Sequence, residues 1–199
     1  MAMRDGRRLL TPDDWAEAAL MALAEGGVSA VAVDRIARTL GASRGSFYWH
    51  FDDRAALVAA ALDLWERRCT TEVITELAAV ADPRQRLRLL FEEVFGDDPG
   101  GLVESALASH AGDAAVAPVL DRVTRTRLEF LAGVFRDLGF PEEEALTRAR
   151  VAYTAYLGHF QLRRAASTAF PPATPDYLEQ LMTIFTEPSA PSAPSVIGA

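Results

Sequence analysis

Apolar residues recur along most of this chain at helical spacing, and no stretch alternates with the period of two that marks a strand. Trp15, Ala19, Ala22 and Leu23 form a first inward stripe. It follows Thr11-Pro12-Asp13-Asp14, a capping hydroxyl, a proline at the first helical position and two acids at the positive dipole end. That stripe stops at Gly26-Gly27. Val33, Ile36, Ala37 and Leu40 make a second, short one, closed by Gly41. Asp53 caps a longer helix carrying Leu57, Ala61, Leu64, Trp65 and Cys69 and reaching toward Leu77. Asp82-Pro83 starts the next, with Leu87, Leu90, Phe91, Val94 and Phe95 on one face. Gly96 to Gly101 reads as a loop, Leu102 to Ala111 as a short helix, and Gly112-Asp113 as the start of a longer one ended by Gly139. Pro141 and three glutamates open a helix that Arg163 and Arg164 close, and Thr174-Pro175-Asp176 begins the last. The expectation is an all-α chain of nine helices without strands or repeats. The proline- and serine-rich segment 187–199 reads as a disordered tail.

The stretch Gly41 to Phe51 departs from this economy. Ser43 can cap a helix by accepting from a backbone amide two or three residues on. Phe47 and Phe51, four apart, share the face read as buried. The outward arc then holds Arg44, Ser46, Tyr48, Trp49 and His50, which are cationic, hydroxyl, aromatic and imidazole groups within about two turns. So many large hydrogen-bonding groups on one exposed face imply a docking surface; the alternative is that Tyr48 and Trp49 pack on the rest of the domain. A helix, a three-residue turn containing glycine and a capped polar-aromatic helix make a helix-turn-helix.

The run Val33-Asp-Arg-Ile-Ala-Arg-Thr-Leu-Gly-Ala-Ser-Arg-Gly-Ser-Phe-Tyr-Trp-His-Phe51, with Asp-Asp-Arg-Ala-Ala-Leu57 after it, closely resembles the DNA-binding signature of the TetR/AcrR (tetracycline-repressor-like) family. Val33 departs from it, standing where the family often has a capping threonine. The resemblance covers roughly residues 9–68 and implies a nine-helix TetR-like architecture: a three-helix DNA-binding domain at 9–68 (motif 33–52) after a flexible basic arm at 1–8, then a ligand-binding and dimerisation domain at 69–186. It further implies a regulator, usually a repressor, released from operator DNA by a small organic effector. Ser43, Arg44, Gly45, Ser46, Tyr48, Trp49, His50 and Arg54 are the expected DNA contacts. Arg44 would reach a base edge, and Tyr48, His50 and Arg54 would hold phosphates.

Charge does not oppose this. The net charge is −8, but residues 1–54 hold seven arginines and eight acids, and the remainder thirteen arginines and twenty acids. The acidity therefore lies away from the motif, and phosphate contacts are local, screened over about 8 Å. The single cysteine, Cys69, rules out an internal disulfide framework. With no secretory signal and no apolar run able to span a bilayer, a soluble cytoplasmic protein without membrane contact is expected.

The larger domain should enclose the effector. Phe91, Phe95, His110, Arg127, Phe130, Tyr153, Tyr156 and His159 are the candidate ligand-binding residues, polar tips among apolar walls being what orients a small ligand. A mainly hydrophobic organic molecule is expected, with no cofactor and no metal. A homodimer should form through the last two long helices: Ala149, Ala152, Ala155 and Gly158 on one, and Leu178, Leu181, Met182 and Phe185 on the other. The alternative is that both faces fill the core of the single chain. No catalytic motif is found, so an enzyme is not expected. The competing class is a helical ligand-binding or scaffolding protein that kept the fold without operator binding.

Overall fold

A computed structural model describes residues 3–4, 7–96 and 100–187. Within them the chain forms nine helices, counting 54–78 as one. They are α1 (Pro12–Ala30), α2 (Val33–Thr39), α3 (Arg44–Phe47), α4 (Arg54–Glu66, a π turn Arg67–Glu72 and Val73–Ala78), α5 (Pro83–Phe95), α6 (Gly100–Ala108), α7 (Ala117–Asp137), α8 (Glu142–Ala165) and α9 (Pro175–Thr186). None is long and apolar enough to cross a membrane.

The capping chemistry sets most of these starts. Thr11 and Asp14 form a reciprocal capping box, the Thr11 amide donating to Asp14 Oδ2 at 2.7 Å and the Asp14 amide to Thr11 Oγ1 at 3.2 Å. Asp53 Oδ1 accepts from the Ala56 amide at 2.8 Å, and Asp82 accepts from Arg84 and Gln85. Thr174 accepts from the Tyr177 amide at 3.2 Å. Each satisfies a first-turn donor that would otherwise lack a partner. Gly26 and Gly27 break α1 where the sequence places its stop, Gly27 with a left-handed φ of 66°.

Two cores divide the chain. Trp15, Leu23, Ile36, Phe47, Phe51, Leu57, Leu62 and Trp65 form the first, and Val103, Leu107, Val116 and Val123 from α6, α7 and the turn between them complete it. Leu87, Phe91, Phe95, Phe135, Tyr153, Tyr156, Phe160, Met182 and Phe185 form the second. α4 passes from one to the other, with Trp65 in the first and Leu77 in the second.

Three departures from the sequence reading concern the arm and the starts of α6 and α7. Met3–Arg4 and Arg7–Arg8 pair as two short antiparallel strands, β1 and β2, where an arm without a strand was expected. The Asp5-Gly6 dipeptide between them is a hairpin signal in sequence. α6 begins at Gly100, not after the glycines, and within it Gly101 lies against Phe160, where a β-carbon would enter the ring. α7 begins at Ala117, preceded by turns rather than by helix from Asp113. The tail expected from residue 187 lies outside the described residues after Glu187.

Gly101 and Gly133 make opposite demands on an added methyl. At Gly133 on α7 the nearest atom to an added β-carbon is the Arg136 side-chain tip at 3.7 Å. Gly101→Ala should therefore lower the free energy of unfolding by about 1–3 kcal/mol through overpacking. Gly133→Ala should raise it by up to about 1 kcal/mol through helix propensity. Urea denaturation of both variants checks this, and equal shifts would contradict the assigned Phe160 contact.

Candidate DNA-reading helix and internal cavity

α2 ends in a left-handed glycine. Gly41 has φ 63°, and the Ala42 amide donates to the Ala37 carbonyl at 2.8 Å, closing the helix and turning the chain toward α3. Ala32, which precedes α2, supplies no side-chain cap. Ser43 then caps α3 by accepting from the Ser46 amide at 3.2 Å. α3 is only one turn, so its orientation comes from packing: Phe47 lies edge-on to Trp15 at 5.6 Å and stacks with Phe51 at 5.7 Å, both buried. The other face is open. Trp49 is 87% exposed and Tyr48 54% exposed, so neither packs away into the domain.

The remaining expected contacts are placed unequally. Arg44 projects into solvent 3.7 Å from Asp34, and a hydrogen bond to Tyr48, then Asp34, raises its pKa further. Ser43 and Gly45 are exposed; Ser46 and His50 are half-buried beside them. Gly45 carries no neighbour closer than 3.7 Å to an added β-carbon, so its bareness serves no internal contact. Arg54 has an internal use instead. Its Nε donates to the Val31 carbonyl at 2.6 Å and its Nη2 to the Val28 carbonyl, which closes the chain between α1 and α2.

Behind α4 lies a cavity of about 270 Å³. Phe91, Phe95, Arg127, Phe130, Tyr153 and Tyr156 line it as expected, together with residues not anticipated: Leu20 and Met21 of α1, and Trp65, Cys69, Thr70, Val73 and Ile74 of α4. The α1 and α4 segments thus form part of its wall. At its polar end a buried network closes on Glu104 of α6, which is 1% exposed. Tyr153 Oη donates to Glu104 Oε1 at 2.6 Å, Tyr156 Oη donates to Glu104 Oε2 at 2.8 Å, and Arg127 Nη1 donates to the same oxygen. Arg127 also donates through Nε to Thr70 Oγ1 at 2.9 Å and through Nη2 to the Cys69 carbonyl at 2.7 Å, both in the π turn of α4. Burial and the Glu104 carboxylate push both tyrosine hydroxyls well above their ordinary range, so both stay protonated donors. Burial alone would lower the Arg127 pKa, but Glu104 together with Tyr156 and Tyr153 outweighs it and holds the guanidinium charged.

Two candidates fall outside this cavity. His110 stands against the α1 kink, where a β-carbon on Gly27 would meet its Nδ1 at 2.8 Å. His159 is buried among Phe95, Phe160 and Tyr177, with no hydrogen-bond partner for Nε2. Glu104 escaped the sequence reading because it sits one position off the apolar stripe of α6. The available signal was that Gly100 to Ala111 contains this single charged residue, the mark of a helix buried all round.

The expected dimer residues also separate. Ala149, Ala152, Leu181, Met182 and Phe185 are buried in the second core, and Leu178 packs on it half-buried. They are occupied within the single chain. The opposite face of α8 carries Val151, Ala155, Gly158 and Leu162 at i, i+4, i+7 and i+11, with Val151 53% and Leu162 41% exposed, and Ile184 of α9 is 63% exposed.

A capped one-turn helix set after a glycine-closed helix on a three-helix core defines a helix-turn-helix protein. Residues 16–61, the segment that contains the helix-turn-helix, match the profile of the bacterial regulatory proteins of the tetR family. Two curated relatives from Pseudomonas putida, the HTH-type transcriptional regulator TtgR and the probable HTH-type transcriptional regulator ArpR, are each 37% identical over 82 residues, 41% of this chain. The matched segment spans 39% of the length of each relative. The whole fold resembles a TetR transcriptional regulator from Legionella pneumophila, with TM-score 0.71 and 16% identity over 88% of this chain and 95% of that one. A transcriptional regulator from Rhodococcus sp. Rha1 superposes with TM-score 0.68 and 23% identity over 89% of this chain and 94% of that one.

His159 yields a pH signature. Burial, then Arg163, lowers its pKa, so the folded chain keeps the ring neutral more readily than the unfolded chain does. Its contribution is complete above the unfolded value of about 6.5 and declines as pH falls through that value toward the folded one. His159→Phe should remove this decline, so the stability of the wild type relative to the variant should drop between about pH 7 and pH 5. Parallel stability profiles would contradict it.

Proposed function

We propose that the protein is a sequence-specific, homodimeric DNA-binding transcriptional regulator, a repressor released from its operator when a small apolar molecule fills the cavity. The observation that carries this is the solvent-facing Tyr48 and Trp49 in the turn that follows α3, on a segment whose inner face, Phe47 and Phe51, is locked into the core. A fold that fixes such a segment while leaving its largest aromatic groups in water presents them to a partner. The two Pseudomonas putida relatives, both HTH-type transcriptional regulators by name, support the same reading.

In this reading 9–68 reads DNA and 69–186 binds the effector and the second copy. The Ser46 amide region at the start of α3 and Tyr48 meet phosphates, and Arg44 meets a base edge through its planar fork. Arg54 acts at one remove, by fixing the α1–α2 junction. The reading assigns no catalytic step to the chain. One turn of helix reads few base pairs, and a second copy onto the next major groove, about 34–36 Å away, supplies the missing affinity. The outward stripe Val151, Ala155, Gly158 and Leu162, with Ile184, is the surface for that copy, replacing the buried set expected from sequence alone. The competing reading, a ligand-binding helical protein without operator binding, leaves the open face of α3 without a use.

Binding to duplexes from the DNA flanking its own gene tests the reading. Arg44→Ala should cost about 1–3 kcal/mol on the preferred duplex and flatten the difference between duplexes, whereas Tyr48→Phe should weaken all of them alike. Unchanged preference in Arg44→Ala would refute the base contact, and no preference in the wild type would favour the competing reading. For assembly, Val151→Arg with Leu162→Arg places charge on the exposed stripe. Sedimentation should show a dimer for the wild type and a folded monomer for this variant; a monomeric wild type would sink the dimer.

A further inference from the structure

The polar end of the cavity is closed in charge and in hydrogen bonds before any ligand arrives. Glu104 accepts from two tyrosine hydroxyls and one guanidinium. Tyr153 gives its proton to Glu104, so its contact with Thr124 Oγ1 at 3.2 Å has Thr124 as the donor. The Arg127 guanidinium is divided between Glu104, Thr70 and the Cys69 carbonyl. It also lies 5.7 Å from the centroid of Trp65 and 5.9 Å from that of Tyr156. At the exposed rim, Arg68 pairs with Glu17 at 3.3 Å. The cavity therefore offers an anion no uncommitted cation, and within its buried part it offers a cation two aromatic walls already facing Arg127, the carboxylates of Glu17 and Glu93 being exposed at the rim.

We propose that Glu104 is the specificity-determining residue of this cavity: by neutralising Arg127 it makes the site select uncharged apolar molecules and reject both carboxylates and ammonium ions of the same shape. The inference rests on the reading of the cavity as the effector site. A ligand carboxylate would have to displace Glu104 from Arg127 or lie beside it unpaired, and either leaves a buried charge without compensation. An ammonium group would meet Arg127 across the same walls. An alcohol loses far less on entering, because a hydroxyl carries no net charge to desolvate.

Three probes with one chain and different heads separate the possibilities: decanol, decanoate and decylammonium, each titrated against the full chain by tryptophan fluorescence, with Trp65 in the wall. Competition between probes establishes that they share the site. Decanol should bind at least about tenfold more tightly than either ion, the difference being the burial of a charge. Decanoate or decylammonium equal to decanol would overturn the charge filter while leaving the cavity as a ligand site. No saturable binding of any of the three would overturn the cavity reading itself. In Glu104→Gln, Arg127 loses its counter-charge, and decanoate should gain on decanol by about tenfold or more. An unchanged ratio in that variant, with its fold intact by circular dichroism, would remove Glu104 from the role. The wild-type comparison stands by itself if the variant does not fold.

Discussion

A guanidinium in the interior of a helical protein must be compensated, and much of the architecture around the cavity follows from how Arg127 is. Burying the charge without a partner would cost several kcal/mol. Glu104 supplies the counter-charge, and two tyrosines from α8 satisfy the remaining acceptor capacity of that carboxylate. The same arginine binds the Cys69 carbonyl and the Thr70 hydroxyl, so α4, α6, α7 and α8 meet in one network. These contacts fall on the π turn of α4. A π turn shifts the regular backbone pairing of a helix, and such turns are frequent at functional sites. Here the irregular turn is held by a side chain that also lines the cavity.

The reading helix depends on distant packing for a related reason. One turn of helix has no stability of its own in water, because nucleation costs more than a single hydrogen bond returns. α3 persists because Phe47 is anchored between Trp15 and Phe51. That core is completed by Val103 and Leu107 of α6, the helix that also bears Glu104, and by the Trp65 end of α4. Arg54 closes the α1–α2 junction from the first turn of α4. A displacement of α4 or α6 thus bears directly on the core that aims Trp49 and Tyr48.

What could be read from the sequence was mostly local. Caps at Thr11, Ser43, Asp53, Asp82 and Thr174 act within three residues, so their chemistry is visible in the string itself, as is the glycine that closes α2. The phenylalanine spacing that splits the segment 44–51 into a buried and an open face is equally local. What stayed hidden depends on the meeting of distant segments. Nothing in Arg67-Arg-Cys-Thr-Thr-Glu72 announces a π turn, because Arg127, 57 residues beyond Thr70, supplies the contact. Arg54 reads as a phosphate clamp until the Val28 and Val31 carbonyls are brought to it. On α8, periodicity gives two small-residue faces, but only the packing of α7 and α6 decides which is buried. For the same reason the sequence reading mixed Ala149 and Ala152 with Ala155 and Gly158.

Coupling between cavity and reading helix is the central claim, and amide hydrogen exchange tests it most directly. The uniformly exchanging full chain is compared with and without decanol at saturation, and peptides covering 67–73 and 43–51 are followed. If the Arg127 network joins the two, filling the cavity changes protection at the π turn and at the α3 segment together, in the same concentration range. A change confined to the cavity walls, with the 43–51 peptides indifferent to ligand, would contradict the coupling.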